Sequence, residues 1–409
     1  MEEKSKIIIL KTNLKNIFNI KKKIKDDINT NNKITYINND SNRKKIKIRN
    51  PGVDLVRIFG MWSILIHHFF VHGFVLAKYN SKILILMHIF GFWHVNSFAL
   101  VSGIVGYKTN RYSNLLYLWT CVLVYQVVIH YLYKIDKKSK NISPNFRFDF
   151  FPVIYSKYWY FTAYFGMYLF LPIINRGIAC LTKKEHKIII FSFYVIFIIW
   201  NDINKDTQVF GLYGGYSVMG LIISYIIGAY IGKYKNNYIR EKKYIYIPIL
   251  LTLYILSSFT CYKMRFYQMN SLNNNIIKKI IITLKKIFVM RINSIPMNLQ
   301  SISIILIAMN INYNKYISKI ICFFGPLTFG VYLIHEQELV KRIFMPNLFS
   351  RDSKQLKKII VVKLVILRSI YLFFICSFID YIRYIIFEYV LRIKKIYIFI
   401  EKKIFKLFS

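Results

Sequence analysis

An arginine and a histidine lie eleven positions apart in one largely apolar stretch of this sequence. The stretch contains Asp54 and Arg57, and after ten further residues it reaches His68. Eleven residues turn an α-helix by about 1100°, close to three full turns, and advance it by about 16 Å. Arg57 and His68 are therefore predicted to share one helix face, with Asp54 placed to pair with Arg57. His72 extends that face by one turn.

These residue types favour a site that binds a phosphorylated ligand and moves a proton. A guanidinium group binds phosphate well, so Arg57, held by Asp54, is predicted to bind the charged end of a cofactor. Histidine has a pKa near the working pH of most enzymes, which makes His68 the candidate general base. The reactive end of the ligand would then lie beside His68.

Long stretches without acidic or basic residues make up most of the chain beyond residue 50. The 409 residues are 55% hydrophobic and 18% aromatic, whereas soluble domains are about 45–50% apolar. About 20 apolar residues cross the hydrocarbon core of a membrane as a helix. The sequence predicts an all-α, polytopic integral membrane protein with a single bundle of about ten transmembrane helices. The predicted spans are 53–75, 83–106, 113–133, 158–178, 187–202, 211–232, 244–262, 292–312, 320–340 and 359–384.

The chain is strongly basic, with 59 Lys and Arg against 18 Asp and Glu, a formal net charge of +41. Most of these residues lie between apolar runs and at both ends, which indicates contact with anionic lipid and not with nucleic acid. Residues 1–50 are predicted to be a basic cytoplasmic extension, disordered or on the membrane surface. Residues 51–385 are predicted to form the transmembrane domain, and 386–409 a basic amphipathic tail. An even number of spans places both termini on the same side of the membrane. With the N-terminus in the cytoplasm, Arg57 is expected at the inner headgroup level.

Four further polar residues are candidates for the wall of a substrate cavity: His72, Asn96, Ser102 and His335. Ionisable residues inside membrane segments are functional candidates by default, although interhelical hydrogen bonding is the alternative for Asn96 and Ser102. Glu336 follows His335, but the spacing is not His-Glu-x-x-His. The five cysteines form no Cys-x-x-Cys pair. No metal is therefore predicted.

Five segments resemble, in order along the chain, the membrane-bound acyltransferase 3 family, whose members O-acetylate surface polysaccharides and related glycans. The resemblance covers about residues 52–383. One departure is Ile104, where the family often has an aromatic residue. The matching segments are Arg57 with His68, Val95–Gly103, Tyr158–Phe161 with the aromatic residues up to Pro172, Gly214–Tyr216 with Tyr225–Tyr230, and Phe329–His335.

The resemblance implies a membrane-bound O-acyltransferase with acetyl-CoA as the acyl donor and a cytoplasmic N-terminus. The acceptor is expected to be a hydroxyl of a glycan or polysaccharide precursor. On this hypothesis Arg57 and Asp54 bind the phosphates of acetyl-CoA, and His68 deprotonates the hydroxyl; a covalent acyl-enzyme is the alternative route. A secondary transporter using the intramembrane Arg and His, or a non-catalytic scaffold, are the competing interpretations. The acceptor, the acyl chain and the oligomeric state stay open.

Overall fold

The computed structural model describes residues 49–79, 81–109, 111–135, 150–200, 203, 209–234, 241–266, 282–284, 291–346 and 357–408. No β-strand occurs among these residues, which confirms the all-α class. Of the predicted N-terminal extension 1–50, all but the last two residues lie outside the described part. The helices in chain order are α1 (Pro51–Val71), α2 (Val75–Tyr79), α3 (Lys82–Gly91), α4 (His94–Gly106), α5 (Tyr112–Ile135), α6 (Trp159–Cys180), α7 (Lys183–Phe193), α8 (Val218–Lys233), α9 (Lys243–Phe266), α10 (Ile295–Asn310), α11 (Lys315–Phe324), α12 (Thr328–Glu336), α13 (Lys358–Ile385) and α14 (Ile393–Phe408).

Seven helical segments of the described chain are long and apolar enough to cross a membrane, so the protein is a polytopic membrane protein. The predicted number of ten is not confirmed. Three predicted spans coincide with shorter helices, because α8 and α10 have 16 residues each and α7 has 11. The seven segments are Pro51–Val71, Lys82–Gly106, Tyr112–Leu132, Trp159–Cys180, Lys243–Phe266, Lys315–Glu336 and Lys358–Val390.

Local sequence explains where α1 begins. The side-chain oxygen of Asn50 accepts a hydrogen bond of 2.8 Å from the backbone amide of Gly52, and Pro51 occupies the first helical position. Both features are common at helix starts. A capping asparagine accepts a hydrogen bond from an otherwise unpaired amide of the first turn, and proline at the first position has no amide hydrogen to leave unpaired. α1 contacts α3, α4, α10, α11, α12 and α13, so it lies at the centre of the bundle. Its polar residues are therefore surrounded by other helices.

Glycine lets α4 and α8 approach each other closely. A side chain at Gly228 would overlap the backbone of Leu100, and one at Gly103 would overlap the backbone of Tyr225. Small residues at such crossings permit backbone-to-backbone packing of membrane helices. This contact holds α4 in place beside α1.

The outer surface of the bundle is apolar. On α9, Ile245, Ile249, Leu256 and Phe259 are all exposed, as expected for a helix that faces lipid tails. The predicted tail 386–409 continues α13 by a π-helical turn, Ile386–Val390, and then forms α14. α14 packs along α5.

Candidate active site

A cavity of about 560 Å³ lies beside α1 in the bundle. Arg57, His68 and His72 line it from α1, Ser102 lines it from α4, and Glu336 lines it from α12. The structure therefore brings Arg57 and His68 to one cavity, as their spacing predicts. Arg57 and His68 mark the two ends of the cavity wall, which are about 16 Å apart along the helix axis.

Aromatic side chains form most of the wall between the two ends. The rings of Tyr160 and Tyr332 lie 6.2 Å apart, and Trp159 contacts Tyr216 at a centroid distance of 4.7 Å. A mainly apolar pocket with a few convergent polar groups is typical of small-molecule binding sites. The aromatic lining residues are Phe92, Phe98, Trp159, Tyr160, Phe161, Tyr164, Tyr216, Phe329 and Tyr332.

One buried carboxylate organises the Arg57 end of the cavity. Asp54 is 1% exposed and accepts a hydrogen bond of 2.8 Å from Arg57. It also accepts two bonds, of 2.5 and 2.9 Å, from Arg49. Gly325 packs against this carboxylate, and a Cβ there would lie 2.6 Å from its Oδ1 atom. Two guanidinium groups thus share one acid, and Arg49, which precedes α1, is a residue that the sequence analysis missed.

A second buried carboxylate lies beside His68. The Nδ1 atom of His68 is 3.3 Å from Oε2 of Glu336, while Oε1 of Glu336 accepts a hydrogen bond of 2.8 Å from Lys341. The acid is 3% exposed. The sequence analysis gave Glu336 no role, although an acidic residue at the end of an apolar segment is itself a signal of function. What the sequence could not indicate is that α12 packs this acid against α1.

His72 lies one residue beyond the membrane-spanning part of α1, and its ring is 5.0 Å from that of His68. Burial, together with the positive charge of Lys341, lowers the pKa of His72 to about 4. The ring is therefore neutral near pH 7, because both burial and a nearby cation disfavour the imidazolium form.

His335 is packed behind His68 and does not line the cavity. Its ring centroid lies 5.1 Å from that of His68, and its Nδ1 atom is 2.5 Å from the carbonyl oxygen of Val331. One atom from each of His68, His335 and Glu336 lies within 4.8 Å of the others, close enough for all three to hold one metal ion. The three ligand candidates are buried.

The two remaining cavity candidates differ in position. Ser102 lines the cavity and donates a hydrogen bond of 2.8 Å to the carbonyl of Phe98. Asn96 points away from the cavity, because its amide donates to the carbonyl of Ile292 and, at 3.3 Å, to the side chain of Asn298. Interhelical hydrogen bonding, the alternative considered for Asn96, describes its contacts.

A group of three further histidines lies beside His68. Nδ1 of His67 is 2.5 Å from Nε2 of His88, and the rings of His67 and His94 are 5.4 Å apart. His67 and His94 both line the cavity. No spacing pattern in the sequence connected these residues, because α3 and α4 bring them to α1 only by packing.

The sequence profile of the acyltransferase 3 family, described as an acyltransferase domain, matches residues 50–378. The match begins at the residue that caps α1 and ends within α13. It includes every residue of the Arg57 and His68 ends of the cavity except Arg49, and it confirms the resemblance found in the sequence. No curated protein and no solved structure matches the chain.

Proposed function

We propose a specific reaction for this chain, which belongs to the acyltransferase 3 family and is a membrane acyltransferase. The proposed reaction transfers an acetyl group from cytoplasmic acetyl-CoA to a hydroxyl of a glycan or polysaccharide precursor at the membrane. The observation that carries the proposal is the single cavity lined by Arg57 at one end and by His68 with Glu336 at the other. Both termini lie in the cytoplasm on this proposal.

The donor binds with its phosphates at the Arg57 end. Asp54 holds the guanidinium groups of Arg57 and Arg49 side by side, and arginine binds phosphate oxygens through paired hydrogen bonds. Two arginines on one aspartate leave a positive charge for the ligand. The thioester arm then extends along the aromatic wall towards His68.

His68 acts as the general base. Its Nδ1 atom lies 3.3 Å from the Glu336 carboxylate. The negative charge of that group attracts a proton on Nδ1, and this tautomer leaves Nε2 free to accept a proton. Nε2 takes the proton of the acceptor hydroxyl while that oxygen attacks the thioester carbonyl carbon. The C–S bond breaks, the acetyl group stays on the oxygen, and the CoA sulfur leaves with the proton that His68 returns.

The aromatic wall has a role in this reaction as well. A thioester is also open to attack by water, and a site that excludes water suppresses that side reaction. The rings of Phe161, Phe329 and Tyr332 pack against one another at 5.8 and 6.2 Å beside the reacting centre. We expect them to limit the number of water molecules that reach the thioester.

The test is transfer of radiolabel from acetyl-labelled acetyl-CoA into the glycan fraction of membranes that contain the full chain. The comparison is His68→Ala against His130→Ala at matched expression, because His130 lies on α5 and does not line the cavity. We expect the first variant to lose about 100-fold or more of the transfer rate and the second to retain it. Equal rates would remove His68 from the mechanism. No label with the unaltered chain would refute acetyl-CoA as the donor or a glycan as the acceptor.

A further inference from the structure

We propose that His68, His335 and Glu336 form a binding site for one divalent transition-metal ion of the zinc type. The three side chains come from α1 and α12 and offer two imidazole nitrogens and one carboxylate oxygen within 4.8 Å of one another. This donor set is one that zinc accepts, usually with a water molecule or substrate in a fourth position.

The first argument is that the three donor atoms are buried and unsatisfied. Nδ1 of His68, Nε2 of His335 and Oε2 of Glu336 have no hydrogen-bond partner, although the first and third lie only 3.3 Å apart. Nearly all buried polar atoms in proteins are hydrogen-bonded, and an exception calls for an explanation. A metal ion at their centre would satisfy all three atoms at once.

The second argument is the protonation of His335. Its Nδ1 atom lies 2.5 Å from the carbonyl oxygen of Val331, which can only accept, so Nδ1 carries the proton. Nε2 therefore presents a bare lone pair to His68 and Glu336. Metal-binding histidines characteristically donate their other N–H to a backbone carbonyl in this way, which fixes the ring and raises its basicity.

The third argument is distance. Zinc lies about 2.0–2.2 Å from nitrogen and oxygen ligands, so two ligands of a tetrahedral site are about 3.4 Å apart. The 3.3 Å between Nδ1 of His68 and Oε2 of Glu336 already matches this ligand-to-ligand distance. The ligand atom of His335 lies within 4.8 Å of the other two, so a shift of at most about 1.4 Å brings it to the same spacing. One position of the tetrahedron then stays open.

Lys341 is the group that opposes metal binding. Its ammonium nitrogen lies 2.8 Å from Oε1 of Glu336, the oxygen that does not face the histidines. This contact orients the carboxylate, but its positive charge repels a second cation. Removal of the Lys341 charge should therefore strengthen metal binding, whereas removal of a ligand side chain should weaken it.

Metal binding and base catalysis by His68 exclude each other. When the Nδ1 lone pair binds a metal, the proton of the neutral ring moves to Nε2, and Nε2 then has no lone pair for the acceptor hydroxyl. Bound zinc should therefore inhibit transfer. This consequence rests on the proposed function, whereas metal binding itself does not.

The test uses the full chain, purified in detergent without a histidine tag, stripped of metal by a chelator and then dialysed against Zn²⁺. We expect one zinc ion per chain, and more than about tenfold weaker binding in His335→Gln and Glu336→Gln. His88→Gln is the matched control, because it removes a ligand from the neighbouring histidine group, and it should bind as the unaltered chain does. Lys341→Met should bind more tightly. Thermal unfolding of each variant reports whether it is folded.

Three results would overturn the proposal: no zinc on the folded unaltered chain, full binding by folded His335→Gln, or loss of binding in His88→Gln instead. In the transfer assay, zinc should inhibit the unaltered chain reversibly and inhibit His335→Gln less. If zinc binds as expected but the chain transfers no acetyl group, the proposed function fails and the metal site stands. If transfer occurs and no zinc binds, the metal site fails and the proposed function stands.

Discussion

Replacement of Asp54 by Asn tests whether the Arg57 end of the cavity binds the donor phosphates. The substitution keeps the size of the side chain but removes the charge that holds Arg57 and Arg49. Asp54 is itself 1% exposed and touches the donor only through the arginines on this proposal. We therefore expect a higher KM for acetyl-CoA with little change in kcat.

The magnitude follows from two opposing effects. The hydrogen bond between Arg57 and Asp54 measures 2.8 Å, and a bond of this charged kind contributes about 1.5–3 kcal/mol. Loss of the aspartate charge also removes its repulsion of a phosphate roughly 7 Å away, which is worth about 0.6–1.2 kcal/mol at a dielectric constant of about 40–80. The lost hydrogen bond outweighs the lost repulsion by about 1–2 kcal/mol. KM for acetyl-CoA should therefore rise about 5- to 30-fold.

The assay compares two donors, acetyl-CoA and S-acetyl-pantetheine, which carries the same thioester arm without phosphates. The unaltered chain should use acetyl-CoA much better, and Asp54→Asn should narrow that difference. With S-acetyl-pantetheine the two proteins should be nearly equal. The reasoning is refuted if Asp54→Asn lowers kcat at unchanged KM, or if its defect is the same with both donors. Protein levels and thermal unfolding show whether the variant is folded.

Four further predictions concern single substitutions at other residues. Glu336→Gln should lower kcat by about 100-fold or more at nearly unchanged KM for the donor, measured by label transfer, because the carboxylate orients the base. Gly228→Ala should destabilise the protein by about 1–3 kcal/mol in thermal unfolding, because a side chain there overlaps the neighbouring helix. Gly177→Ala, with open space around it, should stabilise it by about 0.5–1 kcal/mol. Burial alone would raise the pKa of Glu338, but the hydrogen bond and charge of Lys157 and nearby cations lower it. The ionised Glu338 contributes stability above the ordinary glutamate pKa, and this contribution is lost as the pH falls through the lowered value. Between these two pKa values the free energy of unfolding of Glu338→Gln should therefore vary less with pH than that of the unaltered chain.

The parts of this protein that the sequence predicts are those that one helix determines. The face shared by Arg57 and His68 follows from helix periodicity, because both residues lie on α1. The pairing of Asp54 with Arg57 follows from a spacing of three residues. The membrane environment follows from apolar length in the same way.

The parts that the sequence does not predict depend on contacts between distant helices. Glu336 reaches His68 because α12 crosses α1, and no periodicity within either helix encodes that crossing. Helix packing likewise turns Asn96 towards α10 and leaves His335 behind the cavity wall. The predicted number of spans is not confirmed for a related reason: apolar runs such as 211–232 include a stretch with left-handed glycines, at φ of 66° and 101°, before the helix begins.

The buried charges of this bundle are balanced at some sites and unbalanced at one, and the unbalanced site is at the cavity. A charge inside a membrane protein is costly unless it is paired. Asp380 and Arg383 form such a pair, one acid to one base, 2.6 Å apart and away from the cavity. Glu336 and Lys341 are also one to one.

The site at Asp54 departs from that balance, because one buried acid holds both Arg49 and Arg57. A second guanidinium is not needed to neutralise the acid, and it adds a positive charge where Arg57 opens onto the cavity. The excess charge favours an anionic ligand at this end of the cavity, and the neutral pairing at Glu336 favours an uncharged reacting group at the other. A donor with phosphates on one end and a neutral thioester on the other meets both conditions.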